Sequence, residues 1–133
     1  MANLISDYLG IHAQAMPLRE QRMKLIASNL SNADTPGYKA RDIDFDAALR
    51  HAQGAAGNGQ LATTAEQHYA IGSGDGLNPF QITREAAQPS LDGNTVDPDT
   101  ERAAYGRAAL EYRASLSFVE SKVRTMLTAI TGQ

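Results

Sequence analysis

Cysteine is absent from all 133 residues, which rules out disulfides, thiolate nucleophiles and Cys-ligated zinc. Tryptophan is absent too, and only three phenylalanines are present. Side chains large enough to fill a core are therefore scarce, and much of the 42% hydrophobic content is alanine. No stretch approaches the ~18 consecutive apolar residues of a membrane span. A secretory leader is not visible either: the first basic residue is Arg19, and Asp7 and His12 interrupt any apolar run before it. Taken alone, these absences predict a soluble cytoplasmic chain with no membrane span of its own. Positive charge is also in deficit. The net charge of -3 is unsuited to unaided contact with a phosphate backbone, so nucleic acid is not an expected partner.

What is present lies mostly at the two ends. Residues 1–34 are predicted to be a helix with Leu4, Ile11, Leu18 and Leu25 recurring every seven positions, flanked by Leu9, Met16, Met23 and Leu30. Asn3 or Ser6 suits its cap. Pro17 removes one helical hydrogen bond and crowds the preceding turn, at about 3 kcal/mol; a kink near Met16, or a helix restarting at Pro17, is expected. The helix is then stopped. Asn29, Ser31, Asn32 and Asp34 offer side-chain bonds that compete with helix, Pro36 forces Thr35 extended, and Pro36-Gly37 fits the centre of a type II turn.

Residues 98–133 give a second long helix. Asp97 is a good N-cap, Pro98 suits the first helical position, and Asp99 and Glu101 favour the positive end of the dipole. Tyr105, Ala109, Tyr112, Leu116, Val119, Val123, Met126 and Ile130 then alternate by four and three, a heptad seam of nearly four repeats. Gly106 offers room for another backbone, and Gly132 ends the helix. This seam suits the core of a small bundle or a contact between subunits.

The middle, residues 35–97, carries four basic and eight acidic residues and eight of the eleven glycines, seven of them within 54–93. Asp42 or Asp44 caps a short helix around 45–52. Extended pieces are expected near 67–71 and 80–83, paired as a small hairpin, and the rest of 53–96 is irregular. The expected fold is mainly α, an antiparallel coiled-coil-like hairpin of the N- and C-terminal helices with an irregular middle holding at most a small β-hairpin. Its apolar flanks are thin against the chain entropy they must offset, so its order is expected to depend on assembly.

No site for chemistry emerges, and no cofactor, metal or small-molecule substrate is expected. His12, His51 and His68 lack metal-pair spacing, and His12 reads as packed on a helix face. Gly72-Ser73-Gly74-Asp75-Gly76 lacks the strand and helix of a phosphate loop. Asp92-Gly93-Asn94-Thr95-Val96-Asp97 lacks the glutamate and glycine of a calcium loop and reads as a turn feeding a helix cap. Asp42, Asp44 and Asp46 read as solvated or capping; a small hydrolase using them is the least favoured function.

The segment from Ser28 to Phe45, with Asn29, Asn32, Ala33, Asp34, Thr35, Pro36, Gly37 and Tyr38 at its centre, closely resembles the signature of bacterial flagellar basal-body rod proteins. The extension Lys39-Ala40-Arg41-Asp42-Ile43-Asp44-Phe45 and the run from Gln88 to Asp97 resemble those of the proximal rod. The resemblance implies a non-enzymatic structural subunit that stacks helically, terminal helices inward and acidic middle outward. It implies partners among copies of itself, other rod proteins, the rod adaptor, the MS ring and the export gate. It further implies delivery through the flagellar type III apparatus without a cleaved leader, which moves the expected location to the periplasmic rod base. The turn from Asn29 to Tyr38 would then lock each helix exit against its neighbour. A stand-alone helical adaptor that binds one partner helix is the alternative.

Overall fold

The computed structural model describes residues 4–57, 80–86 and 88–132. In chain order the elements are α1 (Leu4–Ser31), β1 (Arg41–Ile43), α2 (Phe45–Gly57), β2 (Gln81–Thr83) and α3 (Pro98–Thr131). The protein is mainly helical, and α1 packs along α3 as an antiparallel pair. Their register is constant. Asn29 meets Glu101, Arg19 meets Glu111, His12 stacks on Phe118 and Lys122 reaches Tyr8. Each step back along α1 is thus matched by an equal step forward along α3. At that register Leu4 stands level with Met126, so Leu127–Thr131 extend beyond the described part of α1.

The line of closest packing is small and polar on α3 and mixed on α1. Ala15, Leu18, Ile26 and Asn29 are buried on α1; Glu101, Ala108 and Ser115, seven apart, are buried on α3. Ala15 and Ser115 stand at the same level, where two short side chains let the helices come close. A second layer covers the other side of α1. Leu18, Ile43 and Ala48 form its core, with Leu25, Phe45, Leu49 and Phe80 packed against them. Arg19 joins both layers, donating to Glu111 at 2.8 Å with its guanidinium carbon 5.2 Å from the Phe45 ring centre.

The break in α1 falls at Gly10 and not at Met16. Gly10 adopts φ 68° and ψ -158°, a region open essentially to glycine alone. The Lys122 ammonium donates to the Tyr8 carbonyl at 2.9 Å beside this break. Pro17 sits with its ring exposed in a helix that continues through it. Of the cap candidates, Asn3 lies outside the described residues and Ser6 is inside the helix.

The middle differs from expectation in pairing. β2 forms where an extended piece was expected, but its antiparallel partner is β1, with Asp42 opposite Ile82. The 67–71 segment and the Gly72–Gly76 cluster lie outside the described residues. Asp44 caps α2, its Oδ1 accepting from the Ala47 N–H at 3.0 Å, and α2 runs on to Gly57, past the expected 52. α3 has the expected ends. Asp97 Oδ1 accepts from the Asp99 N–H, Pro98 occupies the first position, and Gly132 closes the helix at φ 73°. No close neighbour approaches Gly106 among the described residues, so no backbone uses the space there.

Candidate functional site

Three pieces of chain meet where α1 stops: the turn from Asn29 to Tyr38, the segment from Ser90 to Asp97, and the first turn of α3. The turn has the predicted geometry. The Tyr38 N–H donates to the Thr35 carbonyl at 3.2 Å, and Gly37 has the φ of 71° that a type II turn demands of its third residue. Asn32 closes the helix locally, donating from Nδ2 to the Ser28 carbonyl and accepting from the Thr35 hydroxyl. Asp34 and Pro36 face outward.

A helix end leaves its last carbonyls without helical partners; those of Ser28, Asn29 and Leu30 are taken locally by the Asn32 and Ala33 N–H groups, and the carbonyls of the turn that follows are satisfied from far along the chain. Asn94, nearly buried, directs its Nδ2 at the carbonyls of Asn32, Ala33 and Thr35, at 3.0, 2.7 and 3.0 Å, while its Oδ1 accepts from the Val96 N–H. The two segments are laced further by Gly37 N–H to the Asp92 carbonyl, Thr95 N–H to the Tyr38 carbonyl, and Ala40 N–H to the Thr95 hydroxyl, all within 3.0 Å. Lys39 adds a bond to the Gly93 carbonyl.

Asn29, 0% exposed, is the hub. Its Oδ1 accepts from the Arg41 N–H at 2.9 Å and from the Tyr38 hydroxyl at 3.3 Å; its Nδ2 donates to the Arg41 carbonyl at 2.8 Å and to Glu101 at 3.2 Å. Glu101, 2% exposed, also accepts from Arg84. Arg84 Nε lies 3.8 Å from Asp42. Asp42 in turn accepts two bonds from Arg22, at 3.1 and 3.3 Å. One chain of charges therefore runs Arg22, Asp42, Arg84, Glu101, Asn29, and it ties α1 to the sheet and to α3.

Two carboxylates of the joint are lowered from the ordinary value of 3.8. The Asn94 N–H does this to Asp92, with help from Ser90, and the Thr100 hydroxyl does it to Asp97, with help from the Asp99 N–H. Both stay ionised in neutral solution and keep their acceptor roles.

Asn29, Asn32, Ala33, Thr35, Gly37 and Tyr38 are thus brought together in one joint. The heptad seam is placed differently. Ala108 and Ser115 take the contact line against α1, leaving the stripe from Tyr105 to Ile130 turned roughly a fifth of a turn away. Ala109, Tyr112, Leu116, Val119, Val123 and Met126 are half-buried, and Tyr105 and Ile130 are exposed. On α1, Leu18 is buried, Leu25 half-buried and Ile11 exposed. Leu127, Phe118 and Leu110 extend the uncovered apolar surface of α3.

Sequence reasoning missed Asn94, Arg22, Arg84 and the burial of Glu101, and it took Asp42 for a solvated or capping group. Glu101 had a readable signal, since it lies seven residues before Ala108 and fourteen before Ser115. Among the described residues, no three His, Asp or Glu side chains converge as a metal site, and no helix is long and apolar enough to cross a membrane. His12 lies ring to ring with Phe118 at 4.6 Å.

Residues 9–39 match the model of the family described as flagella basal body rod protein. The chain is 45% identical over 135 residues to the flagellar basal body rod protein FlgB of Aeromonas hydrophila, covering 100% of this chain and 99% of the relative. It is 45% identical over 127 residues to FlgB of Cereibacter sphaeroides, 96% of each. With FlgB of Salmonella typhimurium the identity is 36% over 136 residues, 99% of each.

Proposed function

This chain belongs to the flagella basal body rod protein family and is a structural component of the flagellar basal body, within which we propose that it stacks helically as a subunit of the proximal rod. In this reading the paired α1 and α3 form the inner wall, the rod transmits torque, and its bore continues the export channel. The neighbours are further copies, other rod proteins, the rod adaptor, the MS ring and the export gate. Subunits reach the periplasmic rod base through the type III apparatus and have no catalytic task.

The observation that carries this reading is the apolar surface that α3 keeps exposed beside its half-buried stripe, at Tyr105, Leu110, Leu127 and Ile130. A helix that folds alone buries its widest apolar face. Here the contact within the chain uses alanine, serine and a hydrogen-bonded glutamate, and Tyr105, Leu127 and Ile130 remain exposed. Among the described residues nothing covers these side chains, and in this reading a neighbouring subunit buries them. The joint supplies the second requirement of a load-bearing part, a fixed angle between the helix exit and the outer segments. In the assembled rod, the turn from Asn29 to Tyr38 sets that angle and meets the neighbouring subunit with its exposed side.

Replacing Leu127 and Ile130 by glutamate tests the reading, because neither contributes to the interior of the single chain. The purified variant is expected to melt like the parent and to fail to enter basal bodies, with loss of swimming. Normal incorporation and motility would reject assembly through this stripe. A saturable one-to-one complex in place of a polymer would favour the helical adaptor instead.

A further inference from the structure

Leu91 is fully exposed among the described residues. Single exposed leucines are ordinary, but this one stands on a turn that is firmly held. The Gly37 N–H donates to the Asp92 carbonyl at 2.8 Å, the Asn94 N–H donates to Asp92 Oδ1 at 3.1 Å, and Lys39 Nζ donates to the Gly93 carbonyl at 2.9 Å. A side chain presented on so constrained a turn loses little freedom when it docks.

A receptor of matching chemistry lies elsewhere on the same surface. Met23 and Ala27 of α1 and Tyr105 and Tyr112 of α3 line a groove of about 320 Å³, with Glu20 and Lys24 at its rim. That is the lower end of the range for small-ligand sites, and the lining is a thioether, a methyl and two phenol rings. It has the size and character to take one aliphatic side chain.

We propose that Leu91 of one copy seats in the Met23, Ala27, Tyr105, Tyr112 groove of the next, a specific contact that rests on the helical stacking proposed above. Knob and groove are different residues, and the helical stacking proposed above selects their head-to-tail, open repetition over a reciprocal closed dimer. Charge agrees with the pairing. The exposed Asp92 carboxylate adjoins the knob, and the Lys24 ammonium stands at the groove rim. Lys24 is now held only by an exposed pair with Glu20 at 2.7 Å, a weak contact that exchanges readily.

The absence of native cysteine makes the test direct. Basal bodies are isolated from cells whose only copy carries Leu91→Cys and Ala27→Cys, and are then oxidised. A ladder of dimers and higher multimers is expected, with none from either single variant. In parallel, Leu91→Asp is expected to lower incorporation by about tenfold or more with an unchanged melting curve, and Leu91→Met to restore it. A disulfide within the purified monomer would overturn the proposal, because the knob would then reach its own groove. Basal bodies that contain the double variant and give no ladder would also overturn it, while leaving the rod reading intact. A Leu91→Asp defect without a ladder would assign the knob to a groove on another rod protein and reject the second copy as occupant. If the double variant is not incorporated, a photo-crosslinking residue at position 91 gives the readout, and adducts outside the groove overturn the proposal. Absence of the parent chain from basal bodies would sink the rod reading and this contact together.

Discussion

Asn29 shows how much one amide holds when both of its ends are used inside a protein. It serves both backbone groups of Arg41, the Tyr38 hydroxyl and the Glu101 carboxylate. Asn29→Ala leaves the Arg41 groups and one bond to Glu101 without partners in a dry site, and is expected to lower stability by about 2–4 kcal/mol in urea denaturation. Asn29→Asp is expected to be as harmful or worse, since a carboxylate would face Glu101. The charge chain gives a second prediction. Arg84→Met strands Glu101, buried and without its cation, at a cost of about 3–5 kcal/mol; the pair Arg84→Met with Glu101→Leu is expected to recover most of that loss. A double-mutant cycle in denaturant measures the difference, and simple additivity would show the two charges to be independent. This part of the joint was the least legible in the sequence. An aspartate such as Asp42 is ordinarily at the surface, and nothing local says that Arg22, twenty residues earlier, and Arg84 will both reach it.

Elements with strong local signals were readable. Asp97, Pro98 and Gly132 bounded α3 correctly because caps act within one turn, and Pro36-Gly37 gave its turn because glycine alone favours the required φ. The α1 break was misread for the same reason in reverse: proline has a visible penalty, whereas Gly10 becomes a breaking point only through what packs beside it. Gly10→Ala puts a Cβ 3.2 Å from Lys122 Nζ at a backbone geometry reserved for glycine, and is expected to cost about 1–3 kcal/mol or to straighten α1 and release Lys122. The Tyr8 and Lys122 backbone resonances would report which occurs. The α3 cap and the Ser90–Asp97 segment also carry a pH dependence. Asp92 and Asp97 titrate below the ordinary 3.8, so their contribution is complete above that value and disappears as pH falls through the lowered values. Thermal melts from pH 5 to pH 2 should show the loss setting in below about pH 4. In an Asp92→Asn, Asp97→Asn variant that part of the acid sensitivity should be absent.

For the molecule as a whole, the sequence pattern carried the hairpin of terminal helices but not which face each helix turns inward. Heptad periodicity identifies an apolar stripe; it does not say whether a helix of the same chain or of another covers it. Here Ala108 and Ser115 let α3 approach α1 along a neighbouring line, and the stripe is left half-buried with Tyr105 and Ile130 exposed. The assembled form is therefore expected to be markedly more stable than the single chain, and a concentration series of melting temperatures should rise with protein concentration. The β1–β2 pairing has a different consequence. Asp44 N–H meets the Phe80 carbonyl at 2.8 Å, and the His51 and Phe80 rings lie 5.3 Å apart. The start of α2 and the start of β2 are thus pinned side by side. A peptide epitope spliced between Gly57 and Phe80 is therefore expected to leave the melting temperature unchanged, because β1, α2 and β2 hold one another without help from the inserted residues.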